Sequence, residues 1–243
     1  MIDVTPWGAT VVGRLGGGHR NDVFELRRRS ERLVARATRR SPESLDWELH
    51  LMEFLSANGF TVPVTVPADD GRRHVAGVVV QTWLPGREPT SYDWPAVTRE
   101  LTRLHALTAG WPQRPGFAST RALLTADAGG EVDLTAMPAE AVTACRAAWA
   151  ALDGPHTVVH GDPQTANVRV GDAGVGLLDW DEARVDHPDL DLADLPDAEL
   201  PFERNRVARA AVDAWEAAAG WRLEPGYARS RLAELTARAD RSG

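Results

Sequence analysis

His160, Asp162 and Asn167 fall into the pattern H-x-D-x4-N, within the run His160-Gly161-Asp162-Pro163-Gln164-Thr165-Ala166-Asn167. Twelve residues after Asn167, the apolar pair Leu177-Leu178 runs into Asp179-Trp180-Asp181. A tight hairpin of that length can return the chain and set Asp179 beside the Asp162–Asn167 loop. Two carboxylates and an amide then converge, and all of their ligating atoms are oxygens. Oxygen donors with room for water suit Mg2+ rather than zinc. An ion held there would neutralise nucleotide phosphates, and the spare carboxylate would orient a hydroxyl nucleophile.

Strands and turns must position these groups. Thr157–Val159, Val168–Val170 and Val175–Leu178 read as short strands, with Gly171-Asp172 starting the turn between the last two. This β insertion interrupts a stretch dominated by helices, expected at about 94–108, 138–152, 202–219 and 226–240. The chain before residue 84 reads differently. Val11–Leu15, Val23–Leu26, Leu33–Ala37 and Val75–Trp83 are strand candidates, and Asp69-Asp70-Gly71 is a turn. One helix interrupts them, with Ser41 as N-cap, Pro42 in the first position and Asn58-Gly59 at the end. Leu45, Leu49, Met52 and Leu55 share one face of it, and Glu48 lies on that same face. A carboxylate there is costly to bury unpaired. Leu84-Pro85-Gly86 breaks the pattern as a linker. The expectation is an α+β chain: a small antiparallel five-strand sheet with one helix over 1–82, a hinge at 83–86, and a larger, mainly helical part over 87–243.

Composition excludes several chemistries. All 27 basic residues are Arg, so no lysine is available for a Walker A loop or a Schiff base. Net charge is −8, which argues against a nucleic-acid partner. The acidic excess lies after residue 85, and its field would favour cationic ligands. A single cysteine, Cys145, permits no intrachain disulfide and suits a reducing compartment. The N-terminus lacks a basic start and an apolar stretch, and no apolar run approaches the roughly 18 residues a membrane span needs. A cytoplasmic location without a membrane partner is the expectation.

The D-x4-N spacing followed by an apolar strand ending in Asp resembles the aminoglycoside phosphotransferase family. That family includes choline- and homoserine-kinase-like enzymes and shares the protein-kinase fold, so the resemblance implies a bilobal kinase-like architecture. It extends from about residue 10 to 195. It implies ATP and Mg2+ as cofactors, Asp162 as the catalytic carboxylate, and Asn167 and Asp179 as metal ligands. His160 is then a packing and hydrogen-bonding residue. Asp181 is a further carboxylate near the metal, and Asp191 braces the catalytic loop from a helix start. Gly16-Gly17-Gly18-His19-Arg20-Asn21 resembles the loop that covers phosphates, so Gly16, Gly17, Gly18 and Asn21 become nucleotide-binding candidates. An ordinary flexible turn remains the competing reading. Gln81-Thr82-Trp83-Leu84 is similar to the hinge that pairs with adenine, through the Thr82 carbonyl and the Leu84 amide. Trp83 reads equally well as a core aromatic. Where the kinase pattern places a lysine on the third strand, this chain has Arg36, and Glu48 is its expected partner.

These implications define the expected activity: transfer of the ATP γ-phosphate to a hydroxyl of a small molecule. The acceptor is an aminoglycoside-like or other cationic natural product, or a metabolite alcohol. The alternative is a non-catalytic, nucleotide-binding regulatory module on the same fold, suggested by arginine at the lysine position. Residues 182–243 form a short segment for a family that builds its substrate site there, which suits an open site or a small acceptor. The acidic run from Asp186 to Glu203 is the candidate lining for a cation.

Overall fold

The computed structural model describes residues 2–16, 21–193, 195–196 and 200–240. Packing divides the chain into two units, and the first is discontinuous in sequence: residues 1–90 with 164–181. The second comprises residues 91–163 and 182–243. The division is therefore one of packing rather than of the chain order that 1–82 and 87–243 describe.

In the first unit, β1 (Thr10–Arg14), β2 (Asp22–Arg28), β3 (Glu31–Ala37), β4 (His74–Val75) and β5 (Val78–Thr82) form one antiparallel sheet, ordered β1-β2-β3-β5-β4. The run expected as a single strand over Val75–Trp83 is in fact a hairpin. Ala76 and Gly77 take φ of +49° and +78°. Positive φ at both central residues is what lets a two-residue turn match the twist of its strands. Gly77 has no room for a side chain, because a Cβ would lie 2.5 Å from the Thr38 carbonyl oxygen.

Both faces of this sheet are covered. On one, Leu26, Leu33, Ala35, Val78 and Val80 pack with Val4, Trp7, Val66 and Ala68. Trp7 is fully buried and its indole N–H donates to the Val66 carbonyl at 2.8 Å. On the other lies α1 (Pro42–Ala57), whose Leu45 and Leu49 meet Val79. The Ser41 hydroxyl accepts the Ser44 N–H, as the N-cap pattern predicts, and Gly59 closes the helix at φ +79°. Arg36 is opposite Val79 in the β3–β5 register, so its position falls beneath α1.

The hairpin β9 (Val168–Gly171) and β10 (Gly174–Leu177) also belongs to the first unit. Backbone bonds stitch it there: Arg87 N–H to Val170 O at 3.0 Å, and Leu177 N–H to Thr61 O at 3.0 Å.

The second unit holds α2 (Trp94–Leu107), the small hairpin β6 (Ala128–Gly129) and β7 (Val132–Asp133), and α3 (Ala139–Ala150). β8 (Thr157–Val159) and β11 (Arg184–Asp186) then pair antiparallel. The short α4 (Asp189–Leu192) precedes α5 (Phe202–Gly220) and α6 (Pro225–Asp240). Ala141, Cys145 and Trp149 of α3 pack on Ala211, Ala214, Trp215 and Ala218 of α5 and on Leu235 of α6. Cys145 is buried, and burial pushes its thiol up to about 12, so it is a packing residue. The α5–α6 pair is tied by charge as well, since buried Asp213 accepts from Arg238 Nε at 2.7 Å and pairs with Arg231 at 2.8 Å. Among the described residues, no helix is long and apolar enough to cross a membrane.

The β4–β5 turn gives a direct test. Gly77→Ala combines left-handed strain with a backbone clash, so it is expected to cost about 1–3 kcal/mol. Ala76→Asn, with a residue that tolerates the same region, is expected to keep or raise Tm. Thermal melts of the two variants check this.

Candidate active site

Arg36 is a tightly held charge in the first unit. It sits in the central strand β3 and is 6% exposed. Its Nη2 donates to Glu48 Oε1 in a close ion pair, and its Nη1 donates to Asp181 Oδ1 at 2.9 Å. Glu48 is 1% exposed, on the buried face of α1. Burial alone would lower the guanidinium's pKa. Glu48, Asp181 and Asp179 outweigh it and hold the group more firmly charged than a free arginine. The expected Arg36–Glu48 partnership is thus present, and Asp181 is an added partner.

Asn167 and Asp179 are brought close by hairpin register. Leu177 pairs with Val168, and the Leu178 N–H donates to the Asn167 carbonyl at 2.8 Å. Asp179 is the next residue, and Asn167 is nearly buried in a single 3-10 turn at Thr165–Asn167. Asp179 has φ +56°, the left-handed region, which Asp tolerates better than most residues. Trp180 follows, 1% exposed, with its indole N–H on the Leu177 carbonyl at 3.2 Å. Among the described residues, no three His, Cys, Asp or Glu side chains are grouped to hold a metal. One carboxylate and one amide fit a hard ion that takes the rest of its shell from water and phosphate, as Mg2+ does.

The hinge candidates lie at the end of β5. Thr82 pairs with Leu33 of β3, and its hydroxyl accepts the Val64 N–H at 2.9 Å. Trp83 stacks under the Arg32 guanidinium, 3.3 Å from the ring centroid. Leu84 is half-buried, with its Cδ2 where a Cβ on Gly176 would fall. Gly16 is exposed beside open space, and Asn21 is half-buried just before β2. Gly17 and Gly18 lie outside the described residues.

Asp162 belongs to the second unit, three residues after β8. Its N–H donates to His160 Nδ1 at 3.3 Å, which fits the packing role of that imidazole. Gly161 takes φ +91°, and a Cβ there would fall 2.7 Å from the Glu182 carbonyl oxygen. Asp191 braces this loop. Its Oδ2 accepts the His160 N–H at 2.8 Å and its Oδ1 the Gly161 N–H at 2.9 Å, while the His105 Nε2 lies 2.9 Å from Oδ2. Burial alone would raise its pKa. His105, then His160 and the Gly161 N–H, outweigh that and hold the carboxyl below its ordinary value.

Sequence reasoning missed three of these partners. His105 and Arg40 carry no motif. Arg40 reaches Asp181 from the link between β3 and α1, and the only sequence signal is its place just ahead of the Ser41 cap. The third is the internal pairing of the acidic run. Asp186 is fully buried on Arg184 and Thr120, and Asp189 is 2% exposed on Arg204. With Asp191 on His105, these acids face inward rather than line a cationic site. Glu203 is exposed and pairs with Arg206. Trp215 is a core aromatic, 5% exposed with Arg184 stacked at 3.3 Å, and Trp221 donates to the Ala136 carbonyl at 2.9 Å.

A five-strand antiparallel sheet carrying a buried Arg–Glu pair, joined to a mainly helical second unit, is a protein-kinase-like fold. The chain belongs to the phosphotransferase enzyme family known as APH, whose model matches residues 11–232. Solved structures agree in fold. Choline kinase LicA from Streptococcus pneumoniae superposes with a TM-score of 0.68 at 14% identity, covering 95% of this chain and 93% of that one. The amicoumacin kinase hAmiN in complex with AMP-PNP, Ca2+ and Ami gives 0.61 at 18%, covering 96% and 81%. A thermostable mutant of aminoglycoside phosphotransferase APH(4)-Ia, in ternary complex with AMP-PNP and hygromycin B, gives 0.61 at 12%, covering 93% and 92%. No curated protein is a detectable sequence relative of this chain.

The Asp191 brace has a pH signature. Its folded pKa is depressed, so its stabilisation is present above the unfolded value of about 3.9 and is lost as pH falls through the folded value. Asp191→Asn is expected to lose about 1–3 kcal/mol at pH 7. Denaturant melts at descending pH should show the gap to wild type narrowing below about pH 4. A gap that is constant with pH would refute the assignment.

Proposed function

We propose that the protein is an ATP-dependent kinase that transfers the γ-phosphate to a hydroxyl of a small molecule. The observation that carries this reading is the buried Arg36–Glu48 pair on β3 and α1. A strand–helix ion pair with both partners buried costs desolvation that hydrophobic residues would avoid. At the strand position where kinases bind phosphate, a guanidinium keeps its charge, and having several N–H donors it can serve an anion as well as its carboxylate partners.

Asp162 is the residue that orients the acceptor hydroxyl and takes its proton. Asn167 and Asp179 are the residues that would hold Mg2+, which when bound supplies charge neutralisation at the phosphate oxygens. The backbone of Thr82 and Leu84 pairs with the adenine ring, and Gly16, Gly17, Gly18 and Asn21 are the candidates for the phosphate-covering role. Rate acceleration then comes from positioning and electrostatics.

The acceptor is a small alcohol. An antibiotic or another cationic natural product draws support from the amicoumacin and hygromycin complexes of the structural neighbours. The inward-facing acids at 186, 189 and 191 add no support for a cation, which keeps a metabolite alcohol equally in play.

Transfer from ATP with Mg2+ over a panel of alcohols and antibiotics, read by mass spectrometry, tests this. Asp162→Asn is expected to lower transfer at least a hundredfold, at the lower end of what general acid–base groups contribute (roughly 10²–10⁴-fold). Equal rates for both proteins would remove the enzyme reading and leave the non-catalytic nucleotide-binding module. Arg36→Ala, which strips the cation from Glu48 and leaves Asp181 with Arg40 alone, is expected to weaken ATP use severely, while Arg36→Lys retains substantial activity. Wild-type turnover by Arg36→Ala would refute the role.

A further inference from the structure

Asp181 stands two residues beyond Asp179, yet its oxygens are committed elsewhere. It is 4% exposed. Oδ1 accepts from Arg36 Nη1 at 2.9 Å and from Arg40 Nε at 3.3 Å. Oδ2 accepts from Arg40 Nη2 at 2.8 Å, and the same nitrogen lies 3.4 Å from the Asp181 carbonyl. Three guanidinium hydrogen bonds occupy most of the lone pairs of one carboxylate. Three separate segments meet at this point: β3, the link to α1, and the chain leaving β10. All of them belong to the first unit.

Charge balance gives the arrangement its purpose. Glu48 and Asp181 both draw on Arg36. Two carboxylates on one guanidinium leave a net negative charge, and a buried excess of that kind is costly. Arg40, with its side chain 14% exposed, supplies the second cation. With Arg40 in place, Arg36 is gripped at one terminal nitrogen by Glu48 and at the other by Asp181, so its plane is fixed.

We propose that Asp181 is a positioning residue that acts through Arg36 and Arg40 rather than through metal, and that Arg40 is a functional member of the nucleotide site. The inference rests on the nucleotide reading given above. Interactions that hold a phosphate-binding group equally in ground and transition states act on nucleotide affinity more than on the chemical step.

Calorimetric titration with AMP-PNP and Mg2+ tests this without knowledge of the acceptor. Arg40→Ala and Asp181→Asn are each expected to weaken AMP-PNP binding about ten- to a hundredfold, the range for hydrogen bonds to charged groups. Because the residues act as one unit, the double variant is expected to bind no worse than the weaker single variant. Arg40→Lys, which keeps the charge and loses the two-pronged contact, is expected to recover part of the affinity. Each variant's Tm is measured without nucleotide. A lowered Tm with unchanged affinity at a temperature where the variant is folded would overturn the proposal in favour of a purely structural tie. Restoration of Asp181→Asn binding by raised Mg2+ would overturn it in favour of a metal ligand. Variants that bind like wild type overturn this inference alone. Failure of wild type to bind AMP-PNP overturns the nucleotide reading together with it.

Discussion

A charge buried in a β-sheet dictates what may surround it. Arg36 occupies the central strand of the first unit, paired on both sides by β2 and β5, where water cannot solvate it. Keeping it charged requires carboxylates within reach. One comes from α1, which is why Glu48 lies on a face otherwise made of Leu45, Leu49, Met52 and Leu55. The other comes from the far end of the β9–β10 hairpin. The docking of that hairpin onto the first unit, through Arg87 and Thr61, is the backbone counterpart of the same requirement. Asn167 and Asp179 flank the same hairpin whose exit carries Asp181.

The second unit solves a parallel problem with a single carboxylate. The loop after β8 presents backbone N–H groups at His160 and Gly161 that no strand satisfies. Asp191, at the short α4, accepts both and also engages His105 of α2. In each unit, then, a buried acid holds a candidate site segment in shape. In both cases the acid is itself held by a side chain from elsewhere in its own unit, Arg40 for one and His105 for the other. Gly161 makes the second arrangement possible, since its left-handed backbone and the approach of Glu182 exclude any side chain.

Local signals were well preserved in the sequence. The Ser41-Pro42 start and Asn58-Gly59 end of α1 appear where the capping pattern puts them. The inward position of Glu48 followed from helical spacing alone. The β9–β10 hairpin and the proximity of Asn167 to Asp179 followed from strand length. Other features left no local trace. The Ala76-Gly77 turn lacks the Asn or Asp that marks such turns, so β4 and β5 read as one strand. β11, Arg184-Val185-Asp186, is too charged to look like a strand, and its charges are buried by pairing with each other and with Thr120. The acidic run read as lining for a cation because burial of acids depends on partners far away in sequence, such as Arg204 for Asp189. Arg40 escaped notice for the same reason. Placements carried by spacing were legible, and placements carried by long-range charge pairing were not.

The discontinuity of the first unit sets an order of events in time. Arg36 meets Asp181 across a sequence separation of 145 residues. A chain emerging from the ribosome at about 5–20 residues per second presents two arginines whose second carboxylate has not yet been made. The first ninety residues can form their strands and α1, but their charge cluster stays unbalanced until most of the second unit has been synthesised. Closing so long a loop adds little entropy per residue, yet contacts of such separation are the slow ones in folding. Completion of the Arg36 charge cluster is thus deferred until the loop after β8 in the other unit already exists.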